Sequence, residues 1–299
     1  MTRAAKPLPL SRRIQPWLYL SPALILWLGF FVFPLFFAGT LAFSEWNLIS
    51  PSPTWVGLDN FAALFEDQAF WISLKNTLVF ALATVIPGIA LSLGLALLLE
   101  RSGKAKNFFR TALYLPVVAS LAVTALIWML MMSPNQGFIN GFLKGLGIEG
   151  PNWLNDPNWA MAAIIIVSVW KALGYNMVLY IVGLKNIDKQ LIEAAKVDGA
   201  GPSGLFWGIT FPLLKPVHLF VLVVSIIHSF QLFTAVHIMT KGGPNNATNV
   251  LVYQIWQEAF QFFDIGRSSA LSLVVFFLVL GISIIQIRIT DKEGGHDNR

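Results

Sequence analysis

The chain has 299 residues, of which 56% are hydrophobic and 12% charged, with no cysteine and a formal net charge of +5. Soluble domains average about 25% charged residues, so the deficit points to lipid. The missing cysteines exclude a disulfide framework and a thiolate metal site, and the basic residues sit in short loops between apolar runs, which excludes a nucleic-acid face.

The N-terminus imitates a secretory leader, because Arg3, Lys6, Arg12 and Arg13 precede an apolar stretch. That stretch, Trp17–Phe43, is far longer than the roughly 7–15 residues of a leader's apolar core, and no small-x-small site closes it. It reads as a retained first span. Five more runs reach the roughly 20 residues a bilayer requires: Asn76–Leu99, Thr111–Met132, Ala160–Gly183, Leu213–Thr240 and Ser269–Ile289. The expected fold is therefore all-α membrane, a six-helix domain over residues 17–289 between short tails, 1–16 and 290–299. Pro22, Pro34, Pro87, Pro116 and Pro216 interrupt the runs, which a packed membrane bundle tolerates. Gly88, Ser92, Gly94 and Ala96 on span two favour close helix approach.

Lys and Arg counts give the orientation. One set comprises Arg3, Lys6, Arg12 and Arg13, then Arg101, Lys104, Lys106 and Arg110, then Lys185, Lys189, Lys196 and Lys215, and last Arg288, Lys292 and Arg299. The opposite set holds Lys75, Lys144, Lys241 and Arg267, while Lys171 lies inside a span. The positive-inside rule then puts both termini in the cytoplasm. The outer loops Ser44–Lys75 and Ser133–Trp159 carry Trp46, Trp55, Trp71, Trp153 and Trp159, suited to interfacial anchoring and compatible with docking an external partner.

The loop after span four carries the clearest signal. Asp188 is placed to cap a short helix, on which Leu191, Ala194 and Ala195 form a narrow apolar face. Gly199 and Gly201 permit unusual backbone angles and end it, and Pro202 favours a fresh helical start. The expected product, over 188–212, is an elbow of two short helices at the membrane surface, whose alanines allow close approach by something else.

Glu193-Ala194-Ala195-Lys196-Val197-Asp198-Gly199, continued by Ala200-Gly201-Pro202 and later by Ile209-Thr210-Phe211-Pro212, resembles the cytoplasmic signature of the inner-membrane permeases of bacterial ABC importers. Tyr19-Leu20-Ser21-Pro22-Ala23, Val56-Gly57-Leu58-Asp59-Asn60-Phe61 and Gly242-Gly243-Pro244 resemble the carbohydrate branch, of maltose and glycerol-phosphate type. The resemblance implies a type I importer fold in the bacterial inner membrane. It makes Glu193, Ala194, Ala195, Asp198, Gly199, Ala200, Gly201 and Pro212 a coupling element seated in a cleft of an ATPase subunit. It further implies a second homologous permease in a heterodimer, two ATPase subunits that bind ATP and magnesium, and an extracytoplasmic solute-binding protein. The chain itself would be a transport subunit without cofactor or enzymatic activity. It lacks the extra N-terminal spans and large outer domain that some maltose-type permeases carry.

Two other classes fit less well. A secondary carrier usually places Asp, Glu or His in its spans, and no Asp or Glu falls within these six. A membrane enzyme would need a catalytic set or phosphate loop, and neither pattern occurs. His218, His228 and His237 would spread over roughly 28 Å of one helix, too far to share an ion, and His296 lies in the C-terminal tail.

For the solute path, Lys171 stands near the middle of span four, where a charge costs roughly 2.5–3.5 kcal/mol on insertion scales. Ser168, Lys171, Ala172 and Tyr175 share a helix face, as do His228, Gln231 and Ala235 on span five, with Ser229 adjacent. The resemblance places solute contacts around Ser168–Ala172 and His228–Leu232, suited to a sugar, or through Lys171 to a glycerol phosphate or glycerophosphodiester. The same side chains could instead join helices, with Lys171 paired to a carbonyl or the partner permease. Gly242, Gly243 and Pro244 define a turn that, with Asn246, is placed to face the binding protein.

Overall fold

A computed structural model describes residues 10–101, 103 and 105–294. Arg3, Lys6, Lys104, His296, Arg299 and the outer parts of both tails fall outside the described residues. The chain divides into two compact units. One comprises the described residues up to Leu64 with Glu258–Leu273, and the other comprises Phe65–Gln257 with the described residues from Val274 on.

In the first unit, α1 (Leu10–Trp27) passes through a π-helical turn, Leu28–Val32, into α2 (Phe33–Leu41). From Trp17 to Phe37 nearly every side chain is exposed and apolar, as suits a helix in lipid. Beyond it, β1 (Ser44–Glu45) pairs antiparallel with β2 (Thr54–Trp55), and α3 (Asp59–Glu66) follows. Asn60 Nδ2 donates to the carbonyls of Ala42 at 2.9 Å and Ser44 at 3.0 Å, fastening α3 to the end of span one. The later segment joins here too: Ile265 N donates to Trp46 O at 2.9 Å, and Arg267 Nε lies 3.3 Å from Glu258 Oε1.

The second unit is built on two long helices, α4 (Gln68–Arg101) and α8 (Pro157–Lys185), which pack along each other. Pro87 lies inside α4 without ending it. Ser92 and Ala96 are buried on the α4 face, with Ser92 Oγ 3.3 Å from Leu173 O. Between them come α5 (Lys106–Val118), α6 (Leu121–Met131) and α7 (Phe138–Gly145). Asp156 caps α8, accepting from Asn158 N at 2.9 Å. After α8 come α9 (Lys189–Val197), α10 (Pro202–Leu205), a π-helical turn (Phe206–Thr210), α11 (Phe211–Leu213), α12 (Lys215–Phe230) and α13 (Thr234–Met239). The last helices are α14 (Leu251–Phe260) and α15 (Ile265–Gly294), both of which run from one unit into the other.

Among the described residues five helical segments are long and apolar enough to cross a membrane: Gln15–Leu41, Gln68–Glu100, Pro157–Lys185, Lys215–Met239 and Ile265–Gln286. The sixth expected span differs. Thr111–Met132 is not one helix but α5 and α6, bent by 102° at Ala119–Ser120. Pro116 supplies no N–H to the ladder just before the break. Span five is interrupted as well, at Gln231–Phe233.

Two apolar cores lie along α4 and α8. The first gathers Phe80 of α4, Ala125 of α6, Ile164 and Val167 of α8, Ala235 and Val236 of α13, and Tyr253. The second gathers Leu93 and Ala96 of α4, Met177, Tyr180 and Ile181 of α8, and Val221 of α12, with Leu113 of α5 against it. Both broken spans therefore change helix between the two cores, while α4 and α8 run through both.

Candidate functional site

The elbow forms as its residues dictate. Asp188 Oδ1 accepts from Gln190 N at 2.9 Å, capping α9. At the other end Gly199 adopts φ +84°, and the carbonyls of Ala195 and Lys196 accept from the N–H groups of Ala200 (2.9 Å) and Gly199 (3.1 Å). This paired closure is a Schellman motif, which requires the left-handed angle that glycine adopts without strain. Gly201 does not share that angle: it is extended, at φ −73°, and acts as the cap residue before Pro202 at the start of α10.

The elbow presents its apolar stripe outward. Leu191, Glu193, Ala194, Asp198, Gly199, Gly201 and Pro212 are exposed, Ala195 and Ala200 half-buried, and Val197 is 88% exposed. Ile192 points the other way, against the second core. A row of rings links the elbow to the spans: Trp207 meets Phe211 at 5.1 Å, Phe211 meets His218 at 4.5 Å, and His218 meets Tyr180 at 5.3 Å.

The expected solute face is only partly assembled. On α8, Ser168 and Lys171 are half-buried and Ala172 and Tyr175 exposed. Lys171 Nζ donates to Pro116 O at 3.0 Å and Ala119 O at 2.7 Å, so its ammonium is engaged at the α5–α6 break. The span-five face does not survive, because α12 ends at Phe230 and helical spacing does not carry past it. His228 and Gln231 are exposed, Ser229 is buried with its hydroxyl on Ile226 O at 2.7 Å, and Leu232 and Ala235 lie in the first core. The break also separates His237 from His218 and His228. Among the described residues no cluster of three His, Asp or Glu is placed to hold a metal.

Inside the bundle a second polar pairing went unread in the sequence. Asn176, buried on α8, lies 3.4 Å from Ser225 Oγ on α12, one turn from the Tyr180–His218 contact. Asn176 and Tyr180 are spaced i, i+4 and His218 and Ser225 i, i+7, so polar residues recurring on one face of each of two apolar runs were the available signal.

The turn after span five is more interior than expected. Gly242 is buried under the Tyr253 ring, and Gly243 and Pro244 are half-buried. Lys241, Asn245 and Asn246 are the exposed residues there. Asn76 Nδ2 donates to Asn246 O and Asn249 O, both at 2.9 Å, and Thr248 Oγ1 donates to Gly243 O at 2.7 Å. Below, Ser73 Oγ donates to Gln254 Oε1 at 2.6 Å, and Thr77 Oγ1 accepts from Leu251 N at 3.0 Å.

An apolar bundle that seats a capped, outward-facing elbow on one end has the make-up of a membrane transport subunit. Comparison with known proteins agrees. Residues 88–290 match the family described as binding-protein-dependent transport system inner membrane component. The sn-glycerol-3-phosphate transport system permease protein UgpA of Agrobacterium fabrum is 34% identical over 282 residues, covering 94% of this chain and 96% of the relative. UgpA of Escherichia coli O157:H7 is 35% identical over 294 residues, covering 97% and 98%. The probable ABC transporter permease protein YurN of Bacillus subtilis is 36% identical over 289 residues, covering 95% and 99%. The fold matches a chain of a bacterial ABC transporter that imports the acidic polysaccharide alginate, with a TM-score of 0.84 at 24% identity, over 94% of this chain and 97% of that one. The chain belongs to the family of binding-protein-dependent transport system inner membrane components.

Proposed function

We propose that this chain forms half of the translocation path of an ATP-driven importer for a sugar or sugar-like solute. The outward stripe of the elbow carries the reading: Leu191, Ala194 and Val197 leave an apolar surface uncovered on a capped helix, the shape a cleft in an ATPase subunit accepts. In this reading Glu193, Ala195, Asp198, Gly199, Ala200, Gly201 and Pro212 seat the elbow, and the excess of Lys and Arg puts it and both termini in the cytoplasm. A second, homologous permease completes the path. Two ATPase subunits bind ATP and magnesium, and closure of that pair swings the spans between inward- and outward-facing states. A solute-binding protein docks on the other side, near Asn246; the alginate transporter forms a complex with an alginate pentasaccharide-bound periplasmic protein. Ser168, Ala172, Tyr175, His228 and Gln231 are the candidate path residues, while the ammonium of Lys171 is engaged by two carbonyls.

Glycerol 3-phosphate is the second reading, favoured by the relatives named for it. The engagement of Lys171 favours a neutral solute, because a phosphate would have to compete with both carbonyls for the ammonium. The test is uptake into proteoliposomes by the complete complex with its binding protein, using maltose and sn-glycerol 3-phosphate as probes. ATP-dependent, binding-protein-dependent uptake of maltose supports the sugar reading, and of sn-glycerol 3-phosphate alone the second. Uptake by this chain without ATPase subunits would overturn both.

A further inference from the structure

Four facts meet at one place in the second unit. The third span breaks by 102° at Ala119–Ser120, two extended residues between α5 and α6. On one side of the break α5 packs on α8 and the second core; on the other α6 packs on α13 and the first core. Lys171 is the midpoint of α8, between Val167 in the first core and Met177 in the second. One turn further, Gly174 brings α8 so close to α5 that a Cβ there would overlap Leu113 O and lie 2.9 Å from Tyr114 Cα.

The physical problem is the end of α5. Its last carbonyls have no helical partner, and at membrane depth no bulk water replaces one. Lys171 Nζ satisfies Pro116 O and Ala119 O together, and a cation at a helix C-terminus also faces the negative end of the helix dipole. The corresponding break in span five, at Gln231–Phe233, falls between the same two cores.

We infer that Lys171 is a positioning residue for transport: it caps α5 and holds the bend of the third span at the level where the two cores meet. It sets how the halves of that span move against the continuous struts α4 and α8, and it does not contact solute. The uptake arm of the test rests on the importer reading; the structural arm does not.

The chain lacks cysteine, so a Leu115→Cys, Ile127→Cys pair, both exposed, places spin labels on the two sides of the break in the assembled complex. Lys171→Met is expected to broaden the label-to-label distance distribution, and Lys171→Arg, which keeps the donors, to leave it narrow. In uptake, with whichever of maltose or sn-glycerol 3-phosphate is carried, Lys171→Met lowers the maximal rate by about tenfold and leaves the half-saturating concentration unchanged. Lys171→Arg restores most of the rate. Where Lys171→Met does not assemble, Gly174→Ala serves instead, because it opens the same joint without touching the charge, and it too must broaden the distribution. A narrow distribution in Lys171→Met, failure of Lys171→Arg to restore it, or a raised half-saturating concentration at unchanged maximal rate overturns the inference. If neither probe is carried, the importer reading of the solute fails, and the distance arm still decides the role of Lys171.

Discussion

The Tyr180 hydroxyl lies 3.0 Å from Nδ1 of His218, joining α8 to α12 where the elbow's row of rings ends. Tyr180 is fully buried in the second core. Tyr180→Phe keeps the ring and leaves the imidazole nitrogen without that partner, which costs about 1–3 kcal/mol for a buried polar group. The expected outcome is a lower melting temperature of the purified complex with unchanged oligomeric state. An unchanged melting temperature would show that the pair contributes nothing to holding the two helices.

The elbow's caps give a second prediction. Asp188→Ala removes the acceptor for Gln190 N and is expected to weaken α9 by about 0.5–2 kcal/mol. Hydrogen exchange of the amides of 190–197 should then accelerate, with the spans unaffected. Gly199→Leu acts on the other end, forcing a branched side chain into a left-handed angle at a cost of about 1–2 kcal/mol. Since Gly199 is exposed, the spans should still fold. The ATPase subunits should co-purify less, or hydrolyse ATP without transport; wild-type coupling in Gly199→Leu would remove the elbow from the coupling role.

Much of this architecture was legible in the sequence, and the parts that were not share one cause. The elbow was readable because its determinants are local: a capping Asp188, a left-handed Gly199 and a starting Pro202 lie within one loop. The spans were readable because hydropathy over twenty residues does not depend on tertiary contacts. The breaks were not. Pro87 leaves α4 whole while Pro116 precedes a 102° bend, and at that bend the carbonyls of Pro116 and Ala119 find their donor in Lys171, fifty-odd positions away in the sequence. Once α12 stopped at Phe230, helical spacing no longer linked His228 to Ala235, and that expected face dissolved.

Thr77 gives a third prediction, in the buried polar layer beneath the turn after span five. Its hydroxyl donates to Ser73 O at 2.7 Å and accepts from Leu251 N at 3.0 Å, and the side chain is 2% exposed. Thr77→Val preserves shape and removes both bonds, leaving the Leu251 N–H buried without that acceptor at a cost of about 1–3 kcal/mol. Limited proteolysis should then cut the segment between Lys241 and Leu251 faster than in the wild type. Ser73→Ala, which frees Gln254 Oε1 instead, should act on the same segment.

The last prediction concerns orientation, which follows only from the distribution of Lys and Arg. Asn246 and Val197 are both exposed, Asn246 on the turn after span five and Val197 at the end of α9. Between them lies a single candidate span, Lys215–Met239, formed by α12 and α13. A single crossing there puts the two residues on opposite sides of the membrane. Because the chain has no cysteine of its own, Asn246→Cys and Val197→Cys each give one reactive thiol. A membrane-impermeant maleimide added to spheroplasts should label Asn246→Cys, and should label Val197→Cys only after the membrane is opened. Neither substitution removes a side-chain bond that the fold relies on, since Asn246 contributes its carbonyl to Asn76 and Val197 is almost wholly uncovered. Labelling in the reverse order would invert the bundle and place the elbow outside, away from any ATPase. Labelling of both from one side would mean that α12 and α13 turn back at the Gln231–Phe233 break and do not cross.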